Sequence, residues 1–170
     1  MEFWSNGNLT KMNIRVGFGF DVHQLKEGLD FWLGGIIVAH TKGGLGHSDA
    51  DVLIHAICDA LLGAANLGDI GKHFPDTDPK YKGVDSKLLL IEVIKLMRVK
   101  GYELGNIDAT ICLQTPKIGP FIPKMKKVLA DCMKVDVDLV SIKATTTEKL
   151  SFVGREEGVS AYATVLIQKD

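Results

Sequence analysis

The sequence predicts one α/β (α+β) domain, a mixed β-sheet with helices packed on one face. Segments with strand-like alternation of apolar residues interleave with segments of helical spacing, which is typical of layered α/β folds. The chain has 170 residues, enough for one domain with a sizeable core. Apolar residues make up 46% of it and charged residues 24%, a balance that indicates a globular protein rather than a disordered one.

The chain begins with two predicted strands. In the first, Ile14–Phe20, the alternation predicts that four apolar residues share one side: Ile14, Val16, Phe18 and Phe20. The second, Phe31–Val38, is interrupted by Gly34-Gly35, which indicates a bulge or a bend. Thr41–Leu45 is typical of a glycine-rich loop. We expect the first two strands and the last to pair as antiparallel ribbons.

A long helix is predicted from Ser48 to about Asn66–Gly68. Ser48 and Asp51 resemble a capping box at its start. Seven residues at helical spacing form its expected buried stripe: Val52, Leu53, Ala56, Ile57, Ala60, Leu61 and Ala64. The following segment, Gly68–Gly83, is rich in Gly, Pro, Asp and Thr, so it predicts a long structured loop, and such loops are often functional.

The second half predicts two more helices and three strands. The helices are Asp85–Lys100, with Asp85 as its cap and Gly101 at its end, and Phe121–Met133. The inward residues expected in the first of them are Leu88, Leu89, Val93, Leu96 and Met97. The strands are Ile107–Leu113, Leu139–Ala144 and Val159–Ile167. A strand–helix–strand crossover links the first two of these strands, which predicts that they pair in parallel.

Composition excludes several classes of protein. The net charge of −1, with no long run of one sign, argues against a protein that binds nucleic acid through a basic face. No apolar run reaches the roughly 20 residues that span a bilayer, so no membrane is expected. The three cysteines, Cys58, Cys112 and Cys132, are far apart and form no CxxC pair, which favours a reducing, cytoplasmic location. Residues 1–12 are polar and predict a loosely ordered tail before a single domain at 13–170.

Three side chains form a candidate metal site. Asp21 and His23 follow the first strand two residues apart, so they point to the same side of an extended chain. On the predicted helix, His55 is an i,i+4 neighbour of Asp51 and Asp59. One carboxylate and two imidazoles match a catalytic zinc site, and this ligand set also admits manganese or cobalt. Spacing alone leaves open that His55 is an ordinary core residue.

Further polar segments could hold anions or hydroxyls. His47-Ser48 comes at the start of the predicted helix, where free N–H groups attract phosphate, although Ser48 could serve only as a cap. The Asp69–Pro79 segment could hold a polyol or be an elaborate turn. In Ala144–Lys149, three threonine hydroxyls could donate to phosphate while Glu148 holds a hard divalent ion, or the run could be a plain strand end.

Arg155 could likewise bind phosphate, or it could pair with Glu156 or Glu157. A covalent nucleophile is not indicated, because the sequence has no GxSxG motif and no cysteine beside a histidine. Gly17-Phe18-Gly19 lacks the third glycine of a dinucleotide-binding turn, and there is no Walker loop. Any phosphate chemistry would therefore depend on metals and positioning.

Taken in order, four segments resemble the 2-C-methyl-D-erythritol 2,4-cyclodiphosphate synthase family from about Asn13 to Lys169. They are Gly17–His23, Gly46–Pro79, Leu113–Gly119 and Lys143–Gly158. The resemblance implies a lyase that converts 4-diphosphocytidyl-2-C-methyl-D-erythritol 2-phosphate to the 2,4-cyclodiphosphate and CMP. That reaction belongs to the non-mevalonate (MEP) route to isoprenoid precursors.

The resemblance also implies roles for individual residues. Asp21, His23 and His55 would bind zinc, or manganese or cobalt, and Glu148 would bind magnesium or manganese at the diphosphate. His47 and Thr146 would stabilise the transition state. The expected substrate-binding residues are Asp21, Val22, His23, His47, Ser48, Asp69, Ile70, Gly71, Phe74, Pro75, Asp76, Thr77, Asp78, Leu113, Gln114, Thr115, Pro116, Lys117, Ile118, Gly119, Thr145, Thr146, Thr147, Glu148, Phe152 and Arg155.

Finally, the resemblance implies a homotrimer whose active sites lie between subunits. One chain would bring the zinc ligands and its neighbour much of the cytidine pocket. The trimer would enclose an axial cavity in which Phe20 could contact an isoprenoid diphosphate. Two other functions stay open: a phosphohydrolase that uses zinc-bound water, and a non-catalytic sensor of isoprenoid diphosphates.

Overall fold

The computed structural model describes residues 13–169, so the expected tail at 1–12 lies outside the described residues. Seven strands and five α-helices follow one another in this part of the chain. The strands are β1 Asn13–Glu27, β2 Phe31–Leu33, β3 Ile36–Val38, β4 Lys42–Leu45, β5 Glu103–Cys112, β6 Val140–Thr145 and β7 Gly158–Lys169. The helices are α1 Val52–Ala64, α2 Ile70–His73, α3 Ser86–Val99, α4 Ile122–Met133 and α5 Ser151–Gly154.

Five strands form one mixed sheet in the order β4-β1-β7-β5-β6. The β5–β6 pair is parallel and is joined through α4, which confirms the predicted crossover. The β1–β7 and β5–β7 pairs are antiparallel. Helix α1 packs on β1 and β7, and α4 packs on β6. The predicted architecture, helices on a mixed sheet, is therefore confirmed.

Strand β1 packs against α1 through its glycines. A Cβ atom on Gly17 would lie 1.9 Å from the backbone oxygen of Ala60, and one on Gly19 would lie 2.0 Å from that of Ala56. The apolar residues of the strand share the opposite side, as predicted, but they face outward: Val16 is 67% exposed and Phe18 64%. Strand and helix thus approach closely through small residues, while the aromatic side of the sheet is open.

The segment predicted as one bent strand is a hairpin. Strands β2 and β3 pair only with each other, so the expected pairing of the second strand with the first or the last is wrong. The expected antiparallel pairing of the first strand with the last is confirmed. Gly34 and Gly35 form its turn with φ angles of 60° and 77°, which L-residues rarely adopt. The prediction of a loop at Thr41–Leu45 is also wrong, because Lys42–Leu45 form strand β4, which pairs with Gln24–Glu27 of β1.

Helix α1 begins at Val52 with Asp51 as its cap, so the predicted start at Ser48 is wrong. The Asp51 Oδ1 atom accepts from the N–H groups of Ile54 and Gly34, and Oδ2 accepts from that of Gly35. Burial raises the pKa of this fully buried carboxyl, although the hydrogen bonds oppose the shift. Asp51 therefore fastens the hairpin turn to the helix. All seven predicted stripe residues are buried.

Helix α3 confirms Asp85 as its cap and ends just before Gly101. One predicted inward residue is wrong: Leu88 is 59% exposed, whereas Leu90 and Ile94 lie in the core. Within residues 13–169, no helix combines the length and apolarity that a membrane crossing requires.

Candidate active site

Asp21, His23 and His55 converge at one point, where β1 passes the first turn of α1. One potential ligand atom from each of them lies within 4.8 Å of the other two. The Nδ1 atoms of His23 and His55 are each 3.0 Å from the Oδ2 atom of Asp21. The predicted convergence of a strand-borne pair with a helix-borne histidine is therefore confirmed.

The local sequence explains this convergence. Asp21 and His23 lie two residues apart on β1, and both point to the glycine side that faces α1. Close approach at Gly19 brings the strand against Ala56, the helix residue next to His55. On the other side of the ring of His23, a Cβ atom on Gly46 would lie 2.8 Å from Nε2. Two glycines thus leave the space that the cluster needs.

The cluster is electrostatically coupled. Burial acts to raise the pKa of Asp21, but the two neighbouring imidazoles outweigh it and lower the pKa to about 2. For His55, burial acts to lower the pKa, and the Asp21 carboxylate outweighs it and raises the pKa. The carboxylate is therefore ionised at neutral pH and stabilises positive charge beside it.

The donor set fits a divalent cation. His23 Nδ1 is buried and lies 3.0 Å from Asp21 Oδ2, but its geometry forms no hydrogen bond there or with any other described residue. Such an unpaired nitrogen is costly unless something binds it. One carboxylate oxygen and two imidazole nitrogens are the usual protein ligands of a catalytic zinc ion, which keeps a further position open. The three residues form a group that can hold a metal ion, and their chemistry admits zinc, manganese or cobalt.

A cavity of about 320 Å³ opens beside this cluster. Its lining includes seven predicted substrate-binding residues besides those of the cluster: His47, Ser48, Ile70, Gly71, Phe74, Pro75 and Asp76. The Nε2 atom of His47 is buried without a hydrogen-bond partner in the described part of the chain. Three predicted neighbours do not line the cavity, namely Asp69, Thr77 and Asp78. Asp69 instead caps α2, and Asp78 caps the short 3-10 turn Pro79–Tyr81.

A second cavity, of about 360 Å³, lies at the carboxyl ends of β5 and β6. It is lined by most of the predicted cytidine segment and by two threonines: Leu113, Gln114, Pro116, Lys117, Ile118, Gly119, Thr145 and Thr146. Thr115 and Thr147 do not line it. No residue lines both this cavity and the first one.

The segment after β6 has a constrained backbone. Glu148, Lys149 and Ser151 have φ angles of 51°, 65° and 63°, in the left-handed region that is costly for residues other than glycine. Thr146 Oγ1 donates to Glu148 Oε1 at 2.9 Å. Arg155 makes a two-pronged ion pair with Glu157, one of the two partners considered from the sequence. Phe152 packs beside Gly158, outside the lining of either cavity.

Both cavities are lined by residues near the same end of the main sheet. Asp21 on β1 and Ile111 on β5 both pair with Ala161 of β7. These residues therefore lie two strand spacings apart, roughly 10 Å. The predicted metal and cytidine segments, which are about 90 residues apart in sequence, share one end of the molecule.

Three further polar residues lie beside the cluster, and sequence reasoning missed two of them, Ser86 and Asp49. Ser86 and Asp49 form a hydrogen-bonded pair that reaches His55 Nε2. Asp59 Oδ1 accepts from the N–H group of Ile70 at 2.7 Å and so holds the start of α2 against α1; burial raises the pKa of this carboxyl. Only Asp59 gave a signal in the sequence, as a helical neighbour of His55.

Comparison with known proteins identifies the family. The model of the YgbB family matches residues 14–168, nearly the whole described chain. The chain belongs to the YgbB family. The matched range includes all four segments that carry the resemblance in sequence.

Relatives within the YgbB family are similar in both sequence and structure. The chain is 66% identical to a 2-C-methyl-D-erythritol 2,4-cyclodiphosphate synthase of Bacteroides fragilis, over 93% of this chain and 99% of the relative. A solved 2C-methyl-D-erythritol-2,4-cyclodiphosphate synthase in its CDP-bound form is 37% identical, with a TM-score of 0.83 over 90% of this chain and 99% of that one. These relatives confirm the family predicted from the sequence.

A longer solved protein carries the same fold as one part of its chain. The bifunctional IspDF of Campylobacter jejuni is 42% identical, with a TM-score of 0.91, and the match covers 94% of this chain but 43% of that one. This chain therefore corresponds to less than half of that protein.

Proposed function

We propose that this chain cyclises 4-diphosphocytidyl-2-C-methyl-D-erythritol 2-phosphate to 2-C-methyl-D-erythritol 2,4-cyclodiphosphate and releases CMP, in the MEP route to isoprenoid precursors. One observation carries the proposal: the Asp21, His23 and His55 cluster borders a cavity at the same sheet edge as a second, threonine-lined cavity. A phosphorylated polyol suits the first cavity and a nucleotide suits the second. The identity to named synthases of the family supports the same reaction.

We assign the cations by ligand chemistry. Asp21, His23 and His55 would hold zinc, with manganese or cobalt as alternatives of similar coordination. Glu148 would hold magnesium or manganese at the diphosphate, because its exposed carboxylate offers the hard oxygen that such ions prefer. When bound, these cations would withdraw negative charge from the phosphate oxygens.

In the reaction, an oxygen of the substrate's own 2-phosphate forms a bond to the β-phosphorus, and the bond from that phosphorus to CMP breaks. The enzyme supplies no nucleophile, which agrees with the absence of a serine or cysteine motif. His47 and Ser48 would hold the erythritol phosphate, and the Thr146 hydroxyl would donate to the diphosphate as its charge moves toward CMP. Holding the substrate folded for ring closure can contribute about 7–11 kcal/mol.

The remaining predicted contacts are proposals of the same kind. Segments Asp69–Gly71 and Phe74–Asp78 would surround the erythritol. Leu113–Gly119 and Thr145–Glu148 would hold the cytidine diphosphate, with Phe152 and Arg155 beside them. Arg155 would have to exchange its present ion pair with Glu157 for a phosphate, which an exposed pair permits at little cost.

A homotrimer with active sites between subunits is part of the proposal. The open side of β1 and β7 carries Val16, Phe18, Phe20 and Tyr162, an apolar surface of the kind that associates with another chain. The two cavities share no lining residue, so a neighbour's cytidine cavity could complete the metal cavity. Phe20 would then line an axial cavity in which an isoprenoid diphosphate could bind. Cytoplasmic location stays a prediction from the cysteine pattern.

The reaction is tested by incubating the purified protein with the substrate, zinc and magnesium in water enriched in oxygen-18. Cyclisation gives the cyclic diphosphate and CMP, neither of which takes oxygen from the solvent. A phosphohydrolase would instead give open-chain products that carry the heavy isotope. Tight binding of an isoprenoid diphosphate with no turnover would favour the sensor function.

The shared site is tested by mixing two inactive variants, His55→Ala and Thr146→Ala, after the subunits have been dissociated and allowed to reassociate. If each site takes its metal from one chain and its threonine from the next, random trimers at equal amounts contain about one quarter intact sites. Activity should therefore return to about that fraction of the wild type. Mixtures that stay inactive while forming trimers contradict sites between subunits.

A further inference from the structure

We propose that Ser86, held by the carboxylate of Asp49, fixes the imidazole of His55 so that its Nδ1 atom faces the cation site. Ser86 is the first residue of α3, and its side chain is completely buried. Neither Ser86 nor Asp49 belongs to the residues assigned above to metal or substrate. The inference rests on the proposed metal site and adds two positioning residues to it.

Asp49, Ser86 and His55 form a chain of hydrogen bonds, called the relay below. Hydrogen-bond chemistry determines which group donates and which accepts at each step of it. An ionised carboxylate has acceptors and no donor. Asp49 Oδ2 accepts from the backbone N–H of Ser86 at 2.9 Å, and Asp49 Oδ1 accepts from its hydroxyl. The only hydroxyl proton of Ser86 is therefore committed to Asp49. Toward any other group, the oxygen of Ser86 can act only as an acceptor.

The ring of His55 must adapt to that acceptor. Its Nε2 atom lies 3.0 Å from Ser86 Oγ and 3.1 Å from Ser48 Oγ. A hydrogen bond to the acceptor-only oxygen of Ser86 requires the proton on Nε2. The lone pair is then left on Nδ1 in the neutral ring, and Nδ1 is the nitrogen that lies 3.0 Å from Asp21 Oδ2. Histidine ligands of metals are commonly oriented by such a bond from the second nitrogen.

The buried hydroxyl of Ser86 is not needed to stabilise the start of helix α3. Asp85 caps α3, with its side chain accepting from the N–H group of Lys87 at 2.9 Å. Ser86 bonds outward instead, to residues 37 and 31 positions earlier in the chain. Ser86 therefore joins the start of α3 to the metal ligand, a role that alanine could not fill.

The test compares zinc affinity in Ser86→Ala with that in the wild type and in Asp85→Ala, by competition with a coloured chelator. Loss of a group that orients a metal ligand commonly weakens metal binding about 10–100-fold, which is the expected result for Ser86→Ala. Asp85→Ala controls for a weakened start of α3, because it removes the cap but keeps the hydroxyl. It should bind zinc like the wild type.

Cobalt gives a second readout that a purely structural role would not move. The visible spectrum of the cobalt-loaded protein reports ligand geometry and should change in Ser86→Ala but not in Asp85→Ala. Asp49→Ala, which removes both carboxylate acceptors and so releases the hydroxyl proton of Ser86, should show the same spectral change and serves if Ser86→Ala does not fold.

The possible results distinguish failure of the relay from failure of the metal site. A wild-type protein that binds neither zinc nor cobalt contradicts the metal site itself. A wild-type protein that binds them, with a folded Ser86→Ala or Asp49→Ala variant of unchanged affinity and spectrum, overturns the relay alone.

Discussion

The two cavities of this chain are built in different ways. The metal cavity is held by regular elements, β1 and α1, and the side chain of Asp21 is only 25% exposed within it. The second cavity is bordered by a loop in which Glu148 and Lys149 are exposed and have left-handed backbone conformations. The first site is therefore preorganised within one chain, whereas the second keeps its ligands turned to the surface.

This difference suggests how the activity is divided. A partly buried cluster held by regular elements suits a cation, because ligand geometry must be fixed before the ion binds. Exposed hydroxyls and a constrained loop suit a nucleotide diphosphate that arrives and departs in each cycle. Changes in the first region should thus affect metal binding and folding, and changes in the second should affect turnover.

The largest effect is expected where β1 meets α1. Gly19→Ala would bring a methyl group to 2.0 Å from the oxygen of Ala56 and 2.7 Å from the nitrogen of Ala60, so the strand and helix must separate. We expect a loss of about 3 kcal/mol or more in the free energy of unfolding, measured by urea titration, together with loss of zinc binding.

Gly63→Ala is the matched control, since Gly63 lies on α1 with nothing within 4 Å of an added Cβ. It should stabilise the protein by about 0.5–1 kcal/mol. Equal effects of the two changes would mean that close approach at Gly19 does not hold the cluster.

The second cavity should respond in turnover alone. Thr146→Ala removes a hydroxyl that is expected to donate to the diphosphate, and loss of one such donor commonly costs about 100–1,000-fold in kcat. Zinc affinity should stay that of the wild type, because Thr146 does not touch the metal cluster. Weaker zinc binding in Thr146→Ala would show that the two regions are not independent.

Acid should weaken the metal-free cluster. Burial opposes ionisation of Asp21, yet its two imidazole partners lower its pKa from 3.8 to about 2. A lowered pKa means that the ionised carboxylate stabilises the fold above about pH 4 and that this contribution disappears as the pH falls through 2, at most about 2 kcal/mol. The difference in unfolding free energy between the wild type and Asp21→Asn, both free of metal, should shrink over that range. A constant difference would contradict the coupling.

A smaller effect is expected at Gly46. An added Cβ would lie 2.8 Å from Nε2 of His23, and the ring must shift by a few tenths of an ångström to accept it. We expect Gly46→Ala to weaken zinc binding about tenfold, measured by chelator competition. Binding of CDP should not change, since Gly46 does not line the second cavity. Weaker CDP binding with intact zinc binding would contradict the assignment of Gly46 to the metal site.

Much of the fold was predictable because its signals are local. Asp85 caps α3, and the crossover from β5 to β6 is parallel, as spacing and connection length indicate. The predicted start of α1 was wrong because the Asp51 carboxylate also accepts hydrogen bonds from the N–H groups of Gly34 and Gly35. These bonds depend on a hairpin at least 16 residues earlier in the chain. Local patterns cannot contain such a contact.

The candidate site, too, was only partly predictable, because local sequence patterns do not contain long-range contacts. The metal ligands were recognisable from family segments, but their convergence depends on the contact between Gly19 and Ala56. Ser86 and Asp49 escaped notice because their link to His55 exists only after α3 packs beside α1. The outward apolar side of β1 could not be assigned either, since alternation shows that residues share a side and not which side faces the core.

The most direct measurement is the position of the bound metal, by anomalous diffraction at the zinc absorption edge from crystals of the zinc-loaded protein. The account predicts one ion per chain with Asp21, His23 and the Nδ1 atom of His55 as ligands, at about 2.0–2.2 Å. An active protein with zinc bound elsewhere, or with these three side chains holding no ion, would contradict it.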